Sequence, residues 1–136
     1  MVAIGDALGD RALRMRGVDL LEWLVDEQTV GRHLSVVPAG GRGPGDPRPG
    51  FDQQPIEVAA LADACARAYA IDGHGWWARG IELAVAWFLG DNDSRTPMYD
   101  PVSGGGFDGL ERFGRNENQG AESTLAVLST FQRARR

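Results

Sequence analysis

The stretch PIEVAALADACARAYAIDGHGWWARGIELAVAWFLG, residues 55–90, decides the fold. Proline suits a first helical turn, where its missing amide costs no hydrogen bond. Behind Pro55 the apolar residues Ile56, Ala60, Leu61, Ala64, Cys65, Ala68 and Tyr69 recur at helical spacing and predict a helix over about 55–71. Asp72, Gly73, His74 and Gly75 form a short polar break. Trp76, Trp77, Ile81, Leu83, Ala84, Val85, Trp87, Phe88 and Leu89 predict another helix, which Gly90 terminates. Helices joined by so short a break fold back on one another as an antiparallel hairpin.

The same periodicity extends the pattern in both directions. Ala12, Leu13, Val18, Leu20, Leu21, Trp23, Leu24 and Val25 predict one amphipathic helix over about 8–29. A last helix begins near Gln119, with Leu125, Val127, Leu128 and Phe131 turned inward. The expectation is an all-α chain of four helices in two antiparallel hairpins, with no strand, forming a single domain over 1–136. A length of 136 residues suits one domain with a continuous core.

Between these helices lie two long connections. Residues 31–50 are Pro/Gly-rich and hold four of the seven prolines, and 91–117 are polar and Gly-rich. Long connections in a compact domain are usually functional. If the helices alternate up and down, both loops share one end.

Composition excludes several classes. Hydrophobic residues make up 43% and charged residues 24%, and no apolar run nears the roughly 20 residues of a membrane span. Fourteen basic residues, all arginine, face 19 acidic ones for a net charge of -5, which disfavours nucleic acid as a partner. The lone Cys65 excludes an internal disulfide and a Cys-based zinc site, and the N-terminus has no signal-peptide pattern, so a cytoplasmic chain is expected. His33 and His74 fall at opposite predicted ends, so no metal or other cofactor is expected. The run Asp91, Asn92, Asp93 lacks the spacing of a calcium loop and is expected to be a solvated turn.

Two polar strings could carry chemistry: FDQQPIE at 51–57 and NENQGAEST at 116–124. Each sets a glutamine three residues before a glutamate at a predicted helix start, Gln54 before Glu57 and Gln119 before Glu122. Such glutamates either cap the helix or project into a cleft as acid–base carboxylates together with Asp52 and Asp108. The amides of Gln53, Gln54, Asn116, Asn118 and Gln119 both donate and accept, as recognition of a polyhydroxylated ligand requires. Phe51, Tyr99 and Phe107 lie beside these strings and are placed to stack on a ligand, whereas Trp23, Trp76, Trp77 and Trp87 are expected in the core.

Taken together, QT at 28–29, HLS at 33–35, FDQQPIE at 51–57, AWFLG at 86–90 with Asn92, YDP at 99–101, SGG at 103–105, DGL at 108–110 and NENQGAEST at 116–124 resemble one family. It is the C-terminal part of bacterial glycosyltransferase-associated, glycosidase-like proteins, which are (α/α) toroids of the six-hairpin glycosidase type. The resemblance covers about 20–134. It implies that the two hairpins are consecutive elements of a ring whose rim faces a carbohydrate cleft, and that the chain is a C-terminal segment of that ring. On this reading Glu57, Glu122 and Asp108 are the catalytic candidates. Asp52, Gln53, Gln54, His33, Tyr99, Phe107, Asn116, Asn118 and Gln119 would bind a sugar or glycan. The segment 36–50 departs from the family's pattern. The competing expectation is a non-catalytic remnant that self-associates or docks on a glycosyltransferase-type chain through apolar faces left without ring neighbours.

Overall fold

The computed structural model describes residues 1–135, which hold five helices and two short antiparallel strand pairs. In chain order the elements are α1 (Val2–Ala7), α2 (Arg11–Glu27), β1 (Thr29–Val30), β2 (His33–Leu34), α3 (Pro55–Asp72), α4 (Gly75–Phe88), β3 (Gly109–Glu111), β4 (Gly114–Asn116) and α5 (Ala121–Ala134). The fold is all-α. No described helix is long and apolar enough to cross a membrane.

The hairpin expected from residues 55–90 is present with its ends shifted by one residue. Gly73 caps α3 in the left-handed region at φ 68°, where glycine carries no Cβ penalty. Asp72 fixes the turn, accepting from the His74 amide at 2.8 Å and from Trp77 Nε1 at 3.0 Å. His74 in turn accepts from the Trp76 amide and caps α4.

The helix expected over about 8–29 is present as α2, a few residues shorter, and a further short helix, α1, precedes it. Gly9 turns left-handed at φ +66°, and Asp10 caps α2 by accepting from the Leu13 amide at 3.0 Å. α1 folds back on α2, and at six residues it is too short to show an apolar period of its own. The absence of strands is also corrected. Gly31 sits in the turn between β1 and β2 and Gly114 opens β4, both at positive φ, in two-stranded ribbons too short to show period-two alternation.

The core forms around α3, which packs on α4 and α5. Ala59, Ala62, Cys65 and Ala68 on α3 are small and buried, and they let larger partners close in from α4: Trp77, Ile81, Trp87 and Phe88. Trp87, Phe88, Phe131 and Tyr99 continue as successive edge-to-face ring pairs with centroids 5.1, 6.3 and 5.3 Å apart. Burial pushes the Cys65 thiol up to about 12, so it behaves as a small core residue.

Two apolar expectations are reversed. Trp23 is 60% exposed, because α2 buries the stripe Gly17, Leu21 and Val25 and position 23 lies off it. On α5 the buried stripe is Ser123, Ala126, Val127 and Thr130, and Leu125 and Leu128 face outward. Small side chains on that stripe allow α5 to approach the alanine-rich face of α3 closely.

Gly80 marks the tightest helix approach in the hairpin, since a Cβ there would meet Cys65 Sγ at 2.6 Å. Gly80→Ala is expected to destabilise the protein, because overpacking costs about 1–3 kcal/mol against about 1 kcal/mol gained from removing a helical glycine. Adding Cys65→Ala makes room for the new methyl and restores stability to the wild-type level or above. Urea unfolding of the single and double variants checks both signs.

Candidate functional site

The two long loops meet. Isolated bridges join Leu34 to Asn92, Pro38 to Gln53 and Gln53 to Leu110, so the string at 51–57 lies against the β3–β4 ribbon that precedes α5. Gln53 and Leu110 exchange backbone hydrogen bonds of 3.0 and 2.9 Å. Extended backbone sends successive side chains to opposite sides. Gln53 turns fully inward while Asp52 and Gln54 remain partly exposed.

Gln53 is therefore scaffold and not a ligand contact. Its Nε2 donates to the Gly50 carbonyl at 3.1 Å and to Asp93 Oδ2 at 2.6 Å, and its Oε1 accepts from Trp87 Nε1 at 3.3 Å. His33 belongs to the same network, with Nε2 2.9 Å from Asp93 Oδ1. The solvated turn expected at 91–93 is likewise corrected. Asn92 is buried; its Nδ2 donates to the Trp87 and Thr96 carbonyls, and its Oδ1 accepts from the Ser94 and Thr96 amides. An amide can serve two donors and two acceptors at once, which suits it to close a loop against a helix C-terminus.

Asp52 occupies the outward side of the same string. Gln54 Nε2 donates to its Oδ2 at 2.9 Å, whereas Oδ1 is buried without a partner. Oδ1 rests against Gly109, where a Cβ would lie 2.1 Å away, so glycine is required for the carboxylate to sit there. Burial, and then the nearby charge of Glu111, raise the Asp52 pKa above the ordinary 3.8, against the opposing Gln54 hydrogen bond. Glu111 is the one member of this group that sequence reasoning passes over; its only signal is the place it takes across the Gln53–Leu110 bridge.

Asp108 has the opposite environment. It accepts from the Gly120 amide at 2.8 Å, from Ser123 Oγ at 2.7 Å and from Asn118 Nδ2. Hydrogen bonds from Ser123, Asn118 and the Gly120 amide, in that order, hold its pKa below the usual carboxylate value. Asp108 thus caps α5 from outside the helix, filling the role left open by Gly120. A group stabilised as its anion is unsuited to donate a proton.

Glu57 and Glu122 stand in the first turns of α3 and α5, both exposed. Neither makes a side-chain hydrogen bond or ion pair to another described residue, so the capping arrangement open to them is not formed. They remain free for a ligand.

A cleft of about 460 Å³ opens beside the ribbon, lined by Tyr99, Asp100, Phe107, Arg115, Glu117 and Gln119 among others. Ser103 Oγ lies 2.7 Å from both Asp100 Oδ2 and Gln119 Oε1, and Gln119 Nε2 donates to Asp100 Oδ2 at 3.2 Å. The Ser103 hydroxyl, the Val102 amide and Gln119 pull the Asp100 carboxyl down to about 2. Phe107 is buried, and the Arg115 guanidinium covers its ring at 3.4 Å from the centroid. Its face is thus taken, and stacking on a ligand falls to Tyr99, itself half-buried against Phe131. Asn116 accepts from the Asn118 amide at 3.0 Å, and both are exposed at the rim.

No family model matches the chain, and no curated protein matches it.

Asp108 and Asp52 are expected to respond oppositely to acid. The lowered Asp108 pKa stabilises the fold above 3.8 and that contribution is lost as pH falls through the folded value. Asp108→Ala should cost about 1 kcal/mol at neutral pH, the worth of a helix cap, and less on acidification. The raised Asp52 pKa penalises the folded state at neutral pH, and the penalty vanishes as pH falls toward 3.8. Asp52→Asn should therefore be more stable than wild type at pH 7, with an advantage that shrinks in acid. Urea unfolding across pH tests both.

Proposed function

We propose that this chain is a carbohydrate-binding domain of glycosidase-like character that holds a sugar at the rim where its two long loops meet. The observation that carries the reading is Asp52, whose Oδ1 is buried without a partner against Gly109 and whose pKa is raised by burial and by Glu111, on a string that leads into the unpaired Glu57. Glycoside hydrolysis needs one carboxyl that keeps its proton and another that stays ionised. Asp52, partly buried, is the candidate acid and Glu111 the candidate second carboxyl; Asp108, committed to α5, suits neither. Glu57, Glu122, Gln54, Asn116, Asn118 and Gln119 supply donors and acceptors for ring hydroxyls, and Tyr99 an apolar face. The resemblance to six-hairpin toroids supports the same substrate class and would make α3 and α5 inner helices of the ring.

Calorimetric titration with mono- and oligosaccharides tests this. A sugar should bind, and Glu57→Gln with Glu122→Gln should weaken it about tenfold or more, the worth of a charged hydrogen bond. Asp52→Asn should suppress hydrolysis of a bound oligosaccharide while leaving binding in place. No binding by folded protein overturns the proposal.

A second reading rests on a different observation. Leu125 and Leu128 stand 65% and 49% exposed on α5, and Tyr69 is 42% exposed on α3. An apolar face of this kind supports self-association or docking on a glycosyltransferase-type chain. On that reading Leu125→Ser with Leu128→Ser should abolish an association seen by sedimentation equilibrium in the wild type. A wild type that is monomeric throughout removes self-association.

A further inference from the structure

α3 and α5 pack side by side and run in the same direction: both begin just after the polar strings of the rim, and Asp63 within α3 meets Arg133 in the last turn of α5. Each leaves a stripe in water. On α5 Ala121, Leu125, Leu128, Gln132 and Arg135 follow one another at alternating steps of four and three residues, and all are exposed. That is the spacing at which two helices share a seam. On α3 the exposed Ile56 and Ala60 lie on the same side as Asp63, the residue that reaches α5.

The charges of this face are sorted by end. Glu57 and Glu122 stand in the first turns, exposed and in no ion pair among the described residues, and Asp108 adds a third anion where it clamps the start of α5. At the other end Arg67 and Arg133 share the one carboxylate of Asp63, and Arg135 is exposed in no ion pair among the described residues. Glu82 of α4 lines a groove with Arg67 and Arg133, so three guanidiniums there face two carboxylates and the end stays cationic. The helix dipoles favour acid at the start and base at the finish, but they give neither group a hydrogen-bonding partner.

A surface that fits this face brings cations to Glu57 and Glu122, an apolar middle to Leu125 and Leu128, and carboxylates to the arginines. The face itself, turned by a two-fold axis perpendicular to the helices, is such a surface. A two-fold interface uses one patch twice, so a patch that is acidic at one end and basic at the other complements its own copy.

We propose that this chain pairs with a second copy of itself through α3 and α5, with the helices of the two copies antiparallel across a two-fold axis near Leu125 and Leu128. Glu57 and Glu122 of each copy then lie toward the arginine end of the other, and Leu125 and Leu128 pack on their own counterparts. The pairing rests on the self-association reading and not on the rim cleft.

Sedimentation equilibrium of the full chain, at about 50 mM and about 500 mM salt, tests the ion pairs. The wild type should dimerise, and the higher salt should weaken the dimer about tenfold, whereas a purely apolar contact would hold or tighten. Glu57→Lys with Glu122→Lys should weaken it about tenfold or more at the lower salt, with the fold verified by circular dichroism. Nitroxide labels on Ala121→Cys, Ser129→Cys and Gln132→Cys, one variant at a time, read the direction, since the native Cys65 is buried. In an antiparallel pair the distance between the two labels is shortest at 129 and longer at 121 and 132; in a parallel pair it is equal at all three. A wild type that is monomeric at every concentration overturns this pairing and the self-association reading together. A dimer that Leu125→Ser with Leu128→Ser abolishes, but that is indifferent to salt and charge reversal or gives equal label distances, overturns the antiparallel pairing and leaves the self-association reading standing.

Discussion

The buried amide of Gln53 is the constraint on which the rest of the functional end depends. Its side chain joins the Gly50 carbonyl, Asp93 and Trp87, and its backbone pairs with Leu110. One residue thereby ties the first loop, the second loop and α4 together. Satisfied buried networks rigidify their surroundings, and a half-satisfied one is costly, so the partners hold each other in place. Because Gln53 faces inward, extended geometry turns Asp52 and Gln54 outward. The orientation of the rim carboxyl is set by the burial of its neighbour.

That platform shifts the aspartates at this end in opposite directions. Asp52 loses water and faces Glu111, so its neutral form is favoured; Asp108 and Asp100 gather hydrogen bonds from hydroxyls and amides, so their anions are favoured. Charge separation of this kind comes from loop geometry and not from residue type. Asp108 is thereby removed from the acid–base candidates and becomes the clamp that fixes the start of α5, whose first turn carries Glu122.

The helices were legible in the sequence because burial on α3 and α4 follows periodicity closely, with Pro55 and Gly73 marking their ends. The exact start of α2 was legible in principle, since Gly9 followed by an aspartate three residues before Leu13 is a stop and a cap, whereas α1 ahead of it is too short to carry a period. The exposure of Trp23, Leu125 and Leu128 was not legible: apolar residues cover more than one stripe of α2 and α5, and only the partner surface decides which stripe is buried. The meeting of the polar strings followed from helix alternation. The role of Gln53, the burial of Asn92 and the approach of Glu111 to Asp52 depend on long-range bridges, which no local pattern encodes.

The loop at 31–50 shows how a segment poor in regular structure is nonetheless held. Its composition predicts neither helix nor strand, so side chains have to tie its backbone to itself and to α2. Arginine supplies these ties. Arg42 donates to the Ser35 and Val36 carbonyls near one end, and Arg48 donates to the Glu27 carbonyl at 2.7 Å near the other. A guanidinium offers five donors in a fixed plane, so it can bind carbonyls on one edge and keep donors in reserve on another, which a lysine ammonium on a flexible stem does less well. In a chain without lysine, these two arginines do what backbone pairing does in a sheet.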